Sequence, residues 1–499
     1  MENPFDDFFN YDPRKDLENF SKVPTETWLK LGEQKALENF HLAAKAVPAY
    51  KDFLKKNKVN PEKIKTIEDF KRLPLTTKEN YFTKYSLSDL SMGGLLSPIP
   101  VIYSSSGSTG NPLYWPKSTI QEINTWKGVE LLFSFYFYID QKKTLVINVG
   151  SMGPWAAGDI IHGSTKMLSH KGLNISVISP GLDKDQFFSF FQDLADFYDQ
   201  IIIAGYPSLI RTLVEEGLKK GIQFKNHDIG IFTGGERYTE NWREYLTKKL
   251  GWAKPQNQVS SVLGTAETGT TSLSTPFADS FRILLHRNDG LRKKFFTRKD
   301  LPSINQYVPP ARFVEIINNE IAVTSLGAIP LIRYNTKDYG AIMNPKDVIS
   351  SLPKNFLKEF SIEATPNLPI LAIYGRVDGT ITLYALNIYP EQIAAIMEST
   401  KIKKYLTGKA IIEKLENKKA EPYLKLTLEL KPDVEEKNLE RKIRELVTGG
   451  LAKINIEYYH LLDKYGDRVK PIINLRSFGS CGEGFKSGKS IIIKFNDSI

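Results

Sequence analysis

The feature that most constrains the fold of this sequence is an alternation of short apolar runs with helical segments over residues 143–264. The apolar runs lie at residues 144–149, 175–178, 201–203, 229–232 and 259–263. Between them, residues 185–198, 208–220 and 239–250 have helical period, and Ser208 is the expected cap of its helix. Strands that alternate with helices predict a largely parallel sheet covered on both faces. Ligands bind such sheets at the carboxyl ends of the strands.

The rest of the chain indicates further elements on either side of this sheet. Residues 1–100 are predicted to be mainly helical. Residues 312–343 are typical of β-hairpins, with a turn at Asn318 and Asn319. From about residue 380 the order changes to a smaller βαββαβ unit, with a helix over 434–447 and a last strand over 454–460.

The length of the chain, 499 residues, exceeds what one hydrophobic core supports, so more than one domain is expected. The predicted fold class is α/β: a large N-terminal α/β domain with mostly parallel sheets and β-hairpins, followed by a small α+β C-terminal domain. We place the helical part of the large domain at residues 1–100, its α/β core at 101–374 and the small domain at 375–499.

Composition limits the compartment and the partners. The chain has one cysteine, Cys481, which suits a reducing compartment. Its first residues are acidic rather than typical of a signal peptide, and no apolar run approaches the ~20 residues of a membrane helix. We therefore expect a cytoplasmic protein without a membrane partner. The net charge of +10 comes from lysines spread along the chain, so no nucleic-acid partner is predicted.

A Ser/Gly-rich loop is the first candidate site. Its residues are Ser104, Ser105, Ser106, Gly107, Ser108, Thr109 and Gly110. Glycines let the backbone approach a phosphate, and hydroxyl groups supply further hydrogen-bond donors. The loop is not a Walker A motif, because no Gly-Lys-Ser/Thr follows at the required spacing. Taken alone, such a turn is more often a connector than a binding site.

Further candidates follow along the chain. Two loops end predicted strands: one is Gly234, Gly235 and Glu236, and the other runs over 264–267 and carries Glu267. Asp338 ends a segment that begins at Leu331, and its carboxylate could accept hydrogen bonds from a ribose. Arg376 and Asp378 come next, in a Gly-Arg turn between the expected domains. Asp338 has an ordinary alternative as the end of a hairpin, and Arg376 has one as part of a turn between domains.

Together and in this order, these motifs resemble the adenylate-forming enzymes, specifically the phenylacetate–CoA ligase branch. The N-terminal segment with Leu73-Pro74-Leu75-Thr76-Thr77-Lys78 is also similar to that branch. The resemblance covers roughly residues 40–495, and the ordered set is more specific than any single motif. It implies an acid–thiol ligase that uses ATP, Mg²⁺ and CoA, acts on a small-molecule carboxylic acid and can form a homodimer.

The resemblance also implies a role for each motif. The loop from Ser105 to Gly110 would hold the phosphates of ATP, the segment from Gly234 to Glu236 would lie beside adenine, and Glu267 would hold Mg²⁺. Asp338 and Arg376 would bind the ribose. Asp378 would be the hinge about which a mobile C-terminal domain turns.

The catalytic lysine of the family lies near the C-terminus after a glycine. Lys489 in Lys486-Ser487-Gly488-Lys489 fits this position, and Lys486 is the nearby competitor. A basic tail is the ordinary alternative for both residues.

Five positions depart from the family pattern: Asn111, Leu263, Ala266, Lys337 and Ala385. Ala385 stands near the expected pantetheine tunnel, where the family has glycine. This leaves two alternatives open. The acyl group could go to a carrier protein, a protein cysteine or an amine instead of CoA, or the chain could be a non-catalytic relative that binds nucleotide.

Overall fold

The computed structural model describes residues 5–94, 99–105, 113–296, 301–360, 362, 365–376, 380–384, 386–417, 421–432, 434, 438–480 and 491–494. For residues 391 and 491–494 the description covers the backbone alone. The chain divides into two compact units, a larger one that ends at Gly375 and a smaller one whose continuous part begins at Arg376. Among the described residues, none of the helices combines the length and apolar character needed to cross a bilayer.

The N-terminal region is helical, as the sequence predicts. Its helices are α1 (Asp6–Phe9), α2 (Pro13–Lys22), α3 (Thr25–Ala46), α4 (Pro48–Lys56), α5 (Ile67–Lys71) and α6 (Leu87–Leu90). Local capping explains where α2 and α5 begin. The side chain of Asp12 accepts from the amide of Arg14 at the start of α2, and Thr66 with Asp69 forms a capping box on α5.

A two-stranded ribbon and a long helix follow. Strands β1 (Val101–Ser105) and β2 (Leu113–Lys117) pair antiparallel, so that Ser105 lies opposite Leu113 and Val101 opposite Lys117. Helix α7 (Thr119–Phe137) begins at a capping box formed by Ser118 and Gln121.

The predicted parallel sheet is confirmed. Its strands are β3 (Thr144–Asn148), β4 (Ile175–Ile178), β5 (Gln200–Gly205), β6 (Asp228–Thr233) and β7 (Val259–Thr265), arranged in the order β4-β3-β5-β6-β7. The connecting helices are α8 (Ala156–His170), α9 (Lys184–Leu194), α10 (Pro207–Lys219) and α11 (Glu240–Leu250). The central strands β3, β5 and β6 are almost wholly buried, which is why they appear in the sequence as continuous apolar runs.

Ser208 does not cap α10, so that expectation is wrong. The helix already begins at Pro207, whose ring fixes φ at a helical value. Proline has no backbone N–H, and the first helical position does not need one. Ser208 is therefore inside the first turn, and its hydroxyl donates to Oε2 of Glu236 at 2.7 Å. The expected end of the helix is correct, because Gly221 follows the last turn with φ +87°.

Further strands, most of them paired antiparallel, extend the same sheet beyond β7. They are β8 (Gly269–Leu273), β9 (Ser303–Gln306), β10 (Phe313–Ile317), β11 (Glu320–Ser325), β12 (Leu331–Met343) and β13 (Ile370–Arg376), in the order β10-β11-β12-β13-β9-β8-β7. Four helices accompany them: α12 (Pro276–Arg287), α13 (Asp289–Phe295), α14 (Pro345–Ser350) and α15 (Phe356–Glu359). The β10–β11 hairpin turns at Asn318 and Asn319, both at positive φ, as the sequence predicts.

Two of the apolar clusters in the larger unit bear on the position of the site. In one, α7 packs on the parallel sheet, and the rings of Phe133 and Phe232 lie 5.2 Å apart. The other joins the N-terminal helices to β12, where Phe82 packs between Trp115 and Tyr334. This second cluster brings residues near the N-terminus against a strand some 250 residues later in the chain.

The smaller unit contains a four-stranded sheet and a short hairpin. Its elements are β14 (Ile381–Leu383), β15 (Leu386–Ile388), α16 (Pro390–Met397), α17 (Thr400–Lys403), β16 (Leu406–Glu416), β17 (Pro422–Leu430), α18 (Leu439–Ile454), α19 (Ile456–Tyr465), β18 (Ile472–Arg476) and β19 (Ile491–Lys494). The sheet has the order β18-β17-β16-β19, and β14 pairs with β15. The α+β character predicted for this region is confirmed.

Two predictions for this unit need correction. The helix expected over 434–447 begins later, at Leu439, and continues to Ile454. The strand expected over 454–460 is instead the start of α19. The side chain of Asn455 accepts from the amide of Tyr458 and caps this helix, and Tyr458 and Leu461, three residues apart, are buried on one face. The next strand along the chain is β18, which begins only at Ile472.

Candidate active site

The turn between β7 and β8 carries Glu267 at the strand ends near the middle of the large sheet. Thr265 and Thr268 brace the turn from inside, because each backbone amide donates to the hydroxyl oxygen of the other residue, at 3.3 and 3.2 Å. Gly269 closes the turn with φ +61°, a conformation that favours glycine. The turn is therefore held by local contacts, and it fixes the backbone from which Glu267 projects.

Two side chains from distant parts of the chain meet Glu267. The ammonium of Lys78 lies 3.0 Å from Oε1, and the hydroxyl of Tyr334 donates to the same oxygen at 3.1 Å. Lys78 reaches this position because Thr76, two residues earlier, pairs through its backbone with Arg333 and Asn335 on β12, at 3.1 and 2.9 Å. The N-terminal segment therefore contributes a cation to the turn.

The charge state of Glu267 follows from these contacts. Its side chain is 7% exposed, and burial by itself would raise the pKa. The positive charge of Lys78 and the hydrogen bonds to the carboxylate outweigh burial and lower the pKa to about 2. Glu267 is therefore ionised at neutral pH, as a ligand for a cation must be.

Lys117 and Arg312 contact the same turn from outside. The ammonium of Lys117 donates to the backbone oxygen of Glu267 at 3.3 Å, and Nε of Arg312 donates to the backbone oxygen of Thr268 at 3.0 Å. Burial, reinforced by the charge of Arg312, lowers the pKa of Lys117 to about 8. Burial also lowers the pKa of Arg312 to about 10. The turn is thus surrounded by cations, which is suitable for binding an anion.

A pair of carboxyl groups, Glu122 and Asp159, lies near Lys117. Burial, and then the charge of Asp159, raise the pKa of Glu122 to about 7, and Lys117 partly opposes this shift. Asp159 accepts a hydrogen bond from the hydroxyl of Tyr103 at 2.8 Å. Glu122 lies in the first turn of α7 and Asp159 in the first turn of α8, so the two helices bring these groups together.

Gly234 and Gly235 lie where the sequence predicts them, directly after β6 and beside β7. A side chain at Gly234 would lie 3.1 Å from a methyl group of Val262, and Gly235 has φ +74°. Oε2 of Glu236 accepts from the amide and the hydroxyl of Ser208, at 3.3 and 2.7 Å. Glu236 therefore supports the start of α10, a position that favours a carboxylate.

Asp338 lies on β12, and its amide donates to the hydroxyl of Thr336 at 3.3 Å. Lys337, just before it, has φ +63°. Glycine adopts this conformation without strain, which explains why a glycine at this position suits the motif. The backbone just before Asp338 therefore has a left-handed conformation even though the residue there is lysine.

Arg333, at the start of the same motif, has a structural contact. Its guanidinium binds both carboxylate oxygens of Glu315 at 2.9 Å, and it also donates to the backbone oxygen of Leu73. All three partners are buried or nearly so. Arg333 thus ties the N-terminal segment to β12 through contacts in the interior of the larger unit.

Several predicted site residues lie outside the described residues. These are Ser106, Gly107, Ser108, Thr109, Gly110, Asp378 and Lys489, together with the competitor Lys486. Ser105 is described as the last residue of β1, and its hydroxyl donates to the backbone oxygen of Leu113 at 3.3 Å. Arg376 is described as the last residue of β13 and the first residue of the continuous part of the smaller unit.

The residues around Glu267 can be compared with the needs of Mg²⁺. Within the described ranges, no three His, Cys, Asp or Glu side chains come together as a metal-binding group. Glu267 offers one ionised carboxylate, one oxygen of which already contacts Lys78 and Tyr334. Mg²⁺ commonly binds one or two carboxylates and takes its other ligands from water and substrate phosphates. The site fits a cation shared with a nucleotide rather than one that the protein holds alone.

Sequence reasoning did not assign roles to Lys78, Lys117, Arg312 or Tyr334. Lys78 and Tyr334 stand in segments that resemble the family, which was the available signal for them. Lys117 offers a weaker signal, since a lysine that ends an apolar strand is ordinarily solvated. Their common contact with the Glu267 turn is visible only in the folded structure.

The chain has the fold of the adenylate-forming ligases. A structure of 2-hydroxyisobutyryl-CoA ligase with 2-HIB-AMP and CoA superposes with a TM-score of 0.67 at 15% identity, over 98% of this chain and 94% of that one. A second structure of that enzyme, in an open conformation with the same two molecules, has a TM-score of 0.56 at 14% identity, over 97% and 96% of the two chains.

The curated relatives are phenylacetate-coenzyme A ligases, which confirms the resemblance carried by the motifs. The protein of that name from Thermus thermophilus is 21% identical over 378 residues, 75% of this chain and 76% of its own. The one from Pseudomonas putida is 24% identical over 354 residues, 70% of each chain. No protein-family model matches the chain.

Proposed function

We propose that this protein activates a carboxylic acid with ATP as an acyl-adenylate, releases pyrophosphate, and transfers the acyl group to the thiol of CoA. The observation that carries the proposal is the buried, ionised Glu267 held by Lys78 and Tyr334 in the fold of the adenylate-forming ligases. The similarity to phenylacetate-coenzyme A ligases over three quarters of the chain supports the same activity.

In the first step, an oxygen of the acid attacks the α-phosphorus of ATP, and the bond from that phosphorus to the bridging oxygen of pyrophosphate breaks. Negative charge accumulates on the phosphates, so the site must supply fixed positive charge and hydrogen-bond donors. Lys78, Lys117 and Arg312 already surround the Glu267 turn with such charge. Glu267 would hold Mg²⁺, whose role when bound is to neutralise charge on the phosphate oxygens.

The remaining predicted residues position the nucleotide. The loop from Ser105 to Gly110 would supply backbone and hydroxyl donors to the terminal phosphates. Gly234 and Gly235 would let adenine approach the backbone after β6, since both positions lack side chains. Asp338 and Arg376 would fix the ribose. These contacts favour reaction mainly by orientation.

Lys489 would donate to the carboxylate and the α-phosphate in the first step. Asp378 would be the hinge that allows a second nucleophile to enter. In the second step the sulfur of CoA attacks the acyl carbonyl, the bond between that carbon and the AMP oxygen breaks, and AMP leaves with the electron pair.

Product analysis with one carboxylic acid that the protein activates tests both steps. In the absence of CoA we expect acyl-adenylate and pyrophosphate, and with CoA we expect acyl-CoA and AMP in equal amounts. Glu267→Gln should reduce formation of both products, whereas Glu68→Gln, an exposed carboxylate elsewhere, should not. Acyl-adenylate that persists unchanged with CoA but disappears with an amine or a carrier protein would support the alternative acceptors that Ala385 suggests. Unreacted ATP under every condition would contradict the proposal.

A further inference from the structure

The turn that carries Glu267 is clamped from two sides by side chains that no motif includes. Lys117, the last residue of β2, donates to the backbone oxygen of Glu267 at 3.3 Å. Arg312, just before β10, donates to the backbone oxygen of the next residue, Thr268, at 3.0 Å. The two segments are far apart in the sequence, and they reach successive carbonyl groups of one turn.

The burial of Lys117 needs an explanation beyond packing. The residue is 7% exposed, and the acceptor found for its ammonium within the described part of the chain is the carbonyl of Glu267 alone. Placing a charged amine in such a position is costly. An apolar side chain would fill a similar volume at lower cost, so filling space does not account for a lysine at this position.

The turn has little conformational freedom once Lys117 and Arg312, the two clamp side chains, are bound to its carbonyl groups. Thr265 and Thr268 brace it from inside. A side chain at Gly264 would lie 2.7 Å from the backbone oxygen of Gly269, and one at Gly269 would lie 3.1 Å from the guanidinium of Arg312. The backbone of Glu267 is thus enclosed by its own hairpin, by β2 and by the segment before β10.

We infer that Lys117 and Arg312 are positioning residues that act through Glu267, by fixing the turn so that its carboxylate faces the reacting phosphates. The inference rests on the proposed adenylation. A carboxylate that must share a cation with a nucleotide needs its place fixed to a fraction of an ångström. Neither residue needs to touch substrate to have this effect.

Local hydrogen exchange tests the clamp without any reference to activity. Lys117→Met removes the ammonium and keeps a similar length, and Arg312→Met removes the guanidinium. We expect both to increase deuterium uptake in a peptide covering residues 262–272, since the amides of Thr265 and Thr268 lose a rigid frame. Lys166→Met, at an exposed lysine on α8, is the matched control and should leave this peptide unchanged. Unchanged uptake in both clamp variants overturns the inference, whatever the protein catalyses.

Kinetics of the folded variants test whether the clamp positions Glu267. We expect Lys117→Met to lower kcat for adenylation by about 10- to 100-fold, as for residues that orient the ligands of a metal. The Mg²⁺ concentration for half-maximal rate should rise, and KM for the acid should stay near the wild-type value. Lys117→Arg should recover part of the rate.

The outcomes separate the inference from the proposed function. Increased uptake with an unchanged kcat and Mg²⁺ dependence means that the clamp is structural only, and it overturns the positioning role. An inactive wild-type protein across all acids overturns the proposed function and with it the role in catalysis. Increased uptake together with the shifted Mg²⁺ dependence supports the inference.

Discussion

The ammonium of Lys78 lies 3.0 Å from a carboxylate oxygen of Glu267, and 189 residues separate them in the sequence. The contact depends on Thr76, whose backbone joins the N-terminal segment to β12 beside Arg333. One consequence is electrostatic, since Lys78 keeps a buried carboxylate ionised. Another is architectural, because the segment between α5 and α6 becomes part of the candidate site.

The Lys78–Glu267 pair should be strongly coupled in a double-mutant cycle. Lys78→Met leaves a nearly buried carboxylate without its counter-charge, so we expect a loss of about 2 kcal/mol of unfolding free energy. Glu267→Gln should partly relieve this loss, giving a coupling energy of about 1–2 kcal/mol. Urea denaturation of the wild type, both single variants and the double variant measures the coupling.

A surface pair provides the control for this cycle. Lys35 and Glu38 lie 2.8 Å apart on α3, with side chains 47% and 60% exposed. Their coupling should be at most about 0.5 kcal/mol, since water screens them. Equal coupling in the two pairs would show that the fold does not bury the contact of Lys78 with Glu267.

Arg333→Lys should destabilise the larger unit by about 2–4 kcal/mol, because lysine cannot bind both oxygens of the buried Glu315 and also reach Leu73. Arg14→Lys is the matched control at an exposed ion pair with Asp12, and it should cause no measurable change. Thermal unfolding compares the two variants. If Arg333→Lys is as stable as the wild type but loses nucleotide binding, then Arg333 belongs to an open site and its structural role is wrong.

Glu122 should make stability depend on pH. Unfolded, it loses its proton near 4.5, whereas the folded protein retains the proton until about 7. Above pH 4.5 the unfolded state therefore binds fewer protons, and this group lowers stability as pH rises to 7. Glu122→Gln should gain about 2 kcal/mol relative to the wild type between pH 4.5 and pH 7.5.

Urea midpoints at several pH values measure this effect. Glu68→Gln, at an exposed position, is the control and should follow the wild type throughout. A constant difference between Glu122→Gln and the wild type at all pH values would mean that burial and Asp159 do not raise the pKa of Glu122.

The sequence predicts the centre of the parallel sheet well because β3, β5 and β6 are buried on both faces. Ile201, Ile202 and Ile203 form a continuous β-branched run that has few other stable arrangements. The prediction for residues 454–460 is wrong because local preference and tertiary contacts disagree there. These residues favour a strand locally, but the cap at Asn455 and the buried face of Tyr458 and Leu461 make the segment a helix.

The candidate site was predictable only where a motif names its residue. Glu267 and Asp338 stand in short patterns that a reader of the sequence can recognise. The contacts of Lys78 and Lys117 with the turn join residues 189 and 150 positions away, and no periodicity relates them. Arg333 shows the reverse case, since it belongs to a recognisable motif and yet binds Glu315 inside the protein.

Lys489→Ala should lower the rate of adenylation by about 100- to 1,000-fold, the usual effect of losing a donor to developing charge. Lys486→Ala removes the same charge three residues earlier and is the matched control, expected to remain near the wild-type rate. Pyrophosphate release at saturating ATP and acid measures both variants. A large loss in Lys486→Ala with little change in Lys489→Ala would assign the catalytic role to Lys486.

Carboxylate-dependent exchange of labelled pyrophosphate into ATP tests the central claim most directly, because it reports the reversible first step without an acyl acceptor. The assay uses the full chain with Mg²⁺ and a panel of aryl and fatty acids. We predict exchange that requires an acid, does not require CoA and is greatly reduced in Glu267→Gln. No exchange with any acid, in folded protein that binds ATP, would contradict the proposed function and indicate a non-catalytic nucleotide-binding protein.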